Sequence, residues 1–165
     1  IGLEPHDWVT AWVALTESNE KNGCMKMWPK SHLNIKDHNE KFNEGNLLTR
    51  GQTVENVPED EVKSIELKAG QMSLHHPRVV HGSGFNKSND RRIGFVIQSY
   101  IGTNVKQTLG KNSVQIARGE DKYNFHEKIG RPNRLMNKND LKIKKQENDH
   151  LQEIFYKGLA KKGFY

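Results

Sequence analysis

Short apolar runs rich in β-branched and aromatic residues, cut at close intervals by Gly, Pro and Asn, constrain the fold of this chain most tightly. The strongest spans residues 92–101, where Ile93, Phe95, Val96, Ile97, Tyr100 and Ile101 fill one strand length. Residues 9–15, with Val9, Trp12 and Val13, predict another strand, and Asn22-Gly23 predicts a turn beyond it. Residues 24–28, 64–67, 71–75 and 79–81 predict further short strands, punctuated by Pro29 and Ala69-Gly70. Residues 32–61 are polar, carry Gly45, Gly51 and Pro58, and predict a long excursion of the kind that often carries function. Helical period enters only at the end. Asp140 is placed to cap a helix, and Leu151, Ile154, Phe155 and Leu159 then share one face. Many short strands and one late helix predict a mainly β protein, a sandwich or barrel.

Composition sets the outer bounds. The chain has 165 residues, one domain's worth, and 33% are hydrophobic. No run approaches the ~20 apolar residues of a membrane span. A single cysteine, Cys24, excludes an internal disulfide framework and fits a reducing compartment, so the cytoplasm is the expected location. No Gly-rich strand-to-helix element, no Cys pair, no His-Glu-x-x-His and no Gly-x-Ser-x-Gly elbow occurs. The net charge of +6 is unevenly placed: residues 1–130 carry 17 basic and 16 acidic side chains, residues 131–165 carry 9 and 4. Lys142, Lys144, Lys145, Lys157, Lys161 and Lys162 supply most of the excess. No aromatic residues interleave with them as a stacking platform requires. A solvated helix face is therefore expected, and no nucleic acid as partner. The expected organisation is a β-sandwich or barrel over residues 1–130, with a basic helical segment over 131–165 packing on it.

The densest polar cluster runs from His75-His76-Pro77 through His81-Gly82-Ser83-Gly84 to Asn86 and Arg91-Arg92. Its spacing places His81 at the end of a short apolar strand, where an imidazole serves as metal ligand, base or plain hydrogen-bonding group. Ser83, two residues on, lies on the same side of an extended chain. Arg92 opens the next predicted strand, and a tight return would bring its guanidinium to the same interior, able to grip a carboxylate with two parallel hydrogen bonds. His75 and His76 are read as structural. Arg50, in the long excursion, suits either an anionic substrate group or a surface salt bridge.

These segments resemble the phytanoyl-CoA dioxygenase family. The resemblance rests on Ala11-Trp12-Val13-Ala14-Leu15, on Asn22-Gly23-Cys24-Met25, and on Trp28-Pro29-Lys30-Ser31-His32, where Lys30 stands for the usual Gly. It is stronger from Gly70 through His81-Gly82-Ser83-Gly84-Phe85-Asn86-Lys87-Ser88 to Arg91-Arg92, and covers roughly residues 1–105. It implies a double-stranded β-helix (a cupin-like jelly roll) with a C-terminal α-helix, and an Fe(II)- and 2-oxoglutarate-dependent oxygenase using O2. It further implies that His81 is the distal iron ligand and that Arg92 holds the far carboxylate of 2-oxoglutarate. Ser83 would hydrogen-bond to that carboxylate, and Trp12 would line the cosubstrate site. The implied reaction is hydroxylation of a small-molecule or acyl substrate. Two alternatives keep the fold: a halogenase, and a non-catalytic binding module with a basic tail.

One departure matters. The family carries two further iron ligands as His-x-Asp, and no His-x-Asp occurs in these 165 residues. His6-Asp7 lacks the intervening residue and reads as a surface pair. Ile1 in place of Met predicts an N-terminally truncated fragment, with little or no activity alone.

Overall fold

A computed structural model describes residues 2–34, 36, 37, 39, 40 and 52–158. In chain order the described elements are β1 (Leu3–Glu4), β2 (Trp8–Ala14), β3 (Met25–Met27), a 3-10 turn (Ser31–Leu33), β4 (Asn39–Glu40), β5 (Gln52–Thr53), β6 (Lys63–Ile65), β7 (Met72–His75), β8 (His81–Ser83), β9 (Gly94–Ile101), β10 (Lys106–Gln107), β11 (Ser113–Val114), β12 (Glu127–Lys128) and α1 (Lys138–Tyr156). They fall into two compact units: Trp8–Asn39 with Thr53–Ile101, and Ile1–Asp7 with Glu40–Gln52 and Gly102–Tyr165.

The first unit holds two three-stranded antiparallel sheets, ordered β7-β2-β9 and β6-β3-β8. From β6 onward successive strands alternate between the sheets. The fold is the predicted double-stranded β-helix, and mainly β. Register decides what each face carries, because residues directly opposite share a face. In the first sheet Trp12 lies between Ser73 and Val96, and Thr10 opposite His75. That row forms the inner face. The outer face carries Val9, Ala11 and Val13 against Met72, Leu74, Phe95, Ile97 and Tyr100. In the second sheet Met27 lies between Lys63 and His81, and Met25 between Ile65 and Ser83.

The Asn-Gly turn after β2 is locked by short-range hydrogen bonds. Asn22 is buried; its Oδ1 accepts from Asn19 N and its Nδ2 donates to Glu17 O, both at 2.8 Å. Gly23 takes φ +74°, and a Cβ there would lie 2.6 Å from Gly84 O. Both the left-handed backbone and the close approach demand glycine.

Three predicted boundaries move. Residues 79–81 were expected as a strand ending at His81, but His81 opens β8. Pro77 has no N–H for a ladder, and Val79 N closes a turn onto His76 O at 3.0 Å. Arg92 was expected to open its strand, but β9 starts at Gly94. Ile93 is diverted, its N donating to Thr16 Oγ1 at 2.9 Å and its O accepting from Leu15 N. The helix cap is Asn137, whose side chain accepts from Asn139 N and Asp140 N. Asp140 instead sits in the first turn and accepts from Asn133 N at 2.9 Å. Residues 46–51 of the long excursion, Arg50 among them, lie outside the described residues.

In the second unit β1 pairs antiparallel with β10, and β11 parallel with β12. Val105 and Ile154 are its fully buried side chains. His126 ties this unit together, its Nδ1 2.7 Å from Asn112 Oδ1 and its Nε2 2.7 Å from Val105 O. On α1 the protected positions are Ile143, Glu147, His150 and Ile154, an i, i+4, i+7, i+11 face. The predicted face was rotated from this: Leu151 is 40% exposed, Phe155 is half-buried, and Leu159 lies outside the described residues. No described helix is long and apolar enough to cross a membrane.

Candidate active site

His81, Ser83, Arg92 and Trp12, the four residues singled out by motif, come together in the first unit. His81 and Ser83 project from the same face of β8, two residues apart in an extended strand. Arg92 Nη2 donates to Ser83 Oγ at 3.4 Å, and Arg92 Cζ sits 5.4 Å from the centre of the Trp12 ring. The Trp12 face and the Ser83 hydroxyl thus hold the guanidinium in place, which lowers the ordering cost of binding an anion. Gly94 makes the arrangement possible: a Cβ there would lie 2.2 Å from the Trp12 ring. Trp12 lies flat against the start of β9 because no side chain stands in its way.

The His81 ring is oriented by its own strand. Its Nδ1 lies 2.8 Å from Val79 O. A carbonyl only accepts, so Nδ1 carries a proton, and Nε2 is the ring nitrogen left to meet a ligand. His75, read from sequence as structural, faces the same space, its ring centre 5.2 Å from that of His81. It is buried, and burial, then the neighbouring His81, push its pKa below the usual imidazole range. The signal for it was period two: Ser73 and His75 alternate inward on β7 while Met72 and Leu74 alternate outward. Adjacent His76 turns elsewhere, its ring 5.1 Å from that of His32.

The polar end of this site fits a dicarboxylate. It offers a guanidinium, an aromatic wall and a hydroxyl, the last on the strand face that also carries His81. The metal end does not fit a full iron site. Among the described residues no three His, Cys, Asp or Glu side chains converge to hold a metal ion. Asp7 Oδ2 is engaged by Asn104 Nδ2 at 3.4 Å.

The double-stranded β-helix defines the class of fold, and similarity to known proteins narrows it to a family. The family model described as "Phytanoyl-CoA dioxygenase (PhyH)" matches residues 3–94, and the chain belongs to that family. It is 33% identical to a Stutzerimonas stutzeri protein described as "Probable alpha-ketoglutarate-dependent hypophosphite dioxygenase", over 64% of this chain and 39% of that one. It is 28% identical to "Phytanoyl-CoA dioxygenase, peroxisomal" of Homo sapiens, over 51% of this chain and 25% of that one. Among solved structures, "non-heme monooxygenase; ThoJ apo" superposes with a TM-score of 0.80 at 27% identity, over 93% of this chain and 56% of that one. The chain thus spans well under two thirds of the relatives it matches.

Proposed function

We propose that these residues are the cosubstrate-binding part of an Fe(II)- and 2-oxoglutarate-dependent dioxygenase that hydroxylates a small-molecule or acyl substrate, with O2 as oxidant. The observation that carries this reading is the Arg92–Ser83 contact on the Trp12 face, with Ser83 on the strand that also carries His81. Arg92 binds the far carboxylate of 2-oxoglutarate through its two-pronged guanidinium, and Ser83 adds a hydroxyl donor. Trp12 walls off water from that end. His81 Nε2 is one iron ligand, oriented by the Nδ1–H bond to Val79 O. The remaining ligands are not among the described residues, and the relatives carry much sequence beyond the matched part. On this reading the described residues alone hold iron weakly and support little or no turnover of 2-oxoglutarate.

Titration of the chain with 2-oxoglutarate, followed by calorimetry or NMR, tests the cosubstrate role. One charge-anchored contact without iron gives binding of order millimolar. Arg92→Ala removes a charge-assisted pair worth ~1.5–3 kcal/mol, a loss of tenfold or more. Unchanged affinity in Arg92→Ala refutes the assignment.

A further inference from the structure

The register of the second sheet places a cation in line with the proposed iron ligand. Lys63 on β6, Met27 on β3 and His81 on β8 are consecutive partners across the three strands. Side chains opposite one another share a face, and His81 identifies which face this is, because its ring meets His75 of the other sheet. Lys63 therefore belongs to the face that carries His81 and Ser83. The next row on that face is Ile65, Met25 and Ser83. Between the cation and the site lies an apolar floor of Met25, Met27 and Ile65, with Met25 buried and the others half-buried. Methionine is well suited to adapt such a floor to a flexible apolar chain.

Lys63 is exposed, and among the described residues it has no ion-pair or hydrogen-bond partner. Glu61, two residues before it in the chain, accepts from Trp28 Nε1 at 2.6 Å. Glu20 and Glu66 lie on the opposite face, where Ser64 Oγ donates to Glu20 Oε1 and Glu66 Oε1 accepts from Glu20 N. Two strand spacings of about 4.8 Å separate the backbones of Lys63 and His81, roughly 10 Å in all. This geometry suits a ligand with an anionic head at Lys63 and an apolar body laid over the methionines towards His81.

We propose that Lys63 anchors the anionic head, a carboxylate or a phosphate ester, of an amphiphilic substrate whose reacting carbon lies several bonds from that head. The proposal names the substrate class of the oxygenase site and rests on that reading of it. Lys63 binds and sets specificity; it takes no part in the bond-breaking step. Arg92 and Lys63 divide the anions between them, the cosubstrate to one and the substrate to the other.

Titration of the 165-residue chain with octanoate, hexyl phosphate, octanamide and 2-oxoglutarate, followed by NMR, tests this. Octanoate or hexyl phosphate, whichever head is preferred, is expected to bind about tenfold more tightly than octanamide. Lys63→Met and Lys63→Gln should each abolish that preference and leave 2-oxoglutarate affinity within twofold, while Lys63→Arg restores it. Arg92→Met should do the reverse. Equal binding of octanoate, hexyl phosphate and octanamide by the wild-type chain overturns the proposal, as does undiminished anion binding in both Lys63 variants. Wild-type binding of the amphiphilic anion through Lys63 but not of 2-oxoglutarate leaves Lys63 as an anion site and refutes the cosubstrate reading instead.

Discussion

Single side chains decide whether Trp12, Ser83 and Arg92 come together. Gly94 is the sharpest case. A methyl group there would meet the rigid Trp12 ring at 2.2 Å, and a ring cannot yield as a flexible side chain does. Gly94→Ala should cost about 1–3 kcal/mol of stability, as overpacking does. It should also move Trp12 off the guanidinium, seen as a shift in tryptophan emission and weaker 2-oxoglutarate binding. Unchanged emission and affinity would mean that Trp12 does not brace Arg92. Away from the site, Asp121 offers a test by pH. Its carboxylate accepts from the backbone N of Asn124 and Tyr123, both at 3.0 Å, and pairs with Lys128. The two backbone donors, then Lys128, hold its pKa below the ordinary aspartate value of about 3.9. A lowered carboxylate pKa gives stabilisation that is complete above the ordinary value and lost as pH falls through the folded one. The Tyr123 and Asn124 amide shifts should therefore titrate with a midpoint below about 3.9, and Asp121→Asn should abolish that titration.

At the scale of elements, β9 is the strand most clearly written in the sequence, yet it is exposed along most of its length. It lies at the edge of its sheet, and Phe95, Ile97 and Tyr100 on its outer face are 57%, 41% and 50% exposed. Met72 and Leu74 of β7 extend the same apolar face. A long edge with an apolar face is a template for self-association. Phe95→Lys or Ile97→Lys should lower the aggregation of this chain in light scattering and its binding of a hydrophobic dye; no change would place the sticky surface elsewhere. The contrast between β8 and β9 shows how far pattern reading reaches. Alternation and β-branching were enough to find β2, β7 and β9, because those signals are local. The true start of β8 at His81 was hidden, because it depends on Ser31 Oγ accepting from Val80 N and on Trp28 N bonding Val80 O, contacts across 49 and 52 positions. The same limit rotated the α1 face: Ile143 and His150 are covered by neighbours that the helix's own sequence does not name. In the proposed site, motif spacing singled out His81, Ser83 and Arg92, and the family resemblance added Trp12. His75 was signalled only by the period-two alternation of β7, and Lys63 needed strand register, which only the folded sheets provide.

For the whole molecule, the two halves of the site are unequally supplied. The proposed cosubstrate end draws its cation, hydroxyl and aromatic wall from β2, β8 and the segment before β9, all within one unit. The metal end has the His81 imidazole with His75 beside it, and among the described residues no group of three His, Cys, Asp or Glu side chains that could hold a metal ion. The relatives matched are longer, the chain covering 39% of the Stutzerimonas stutzeri protein and 56% of ThoJ. A facial iron site needs two imidazoles and a carboxylate at once, because each bond to iron must offset the loss of bound water. An incomplete set competes poorly. Mixed with equimolar Fe(II) without oxygen, the 165-residue chain should therefore retain far less than one iron per chain through gel filtration. His81→Ala should change that little, whereas Arg92→Ala should still weaken 2-oxoglutarate binding in iron-free buffer. The two measurements separate the halves. Stoichiometric iron that survives gel filtration and vanishes in His81→Ala would show that this chain completes the metal site by itself.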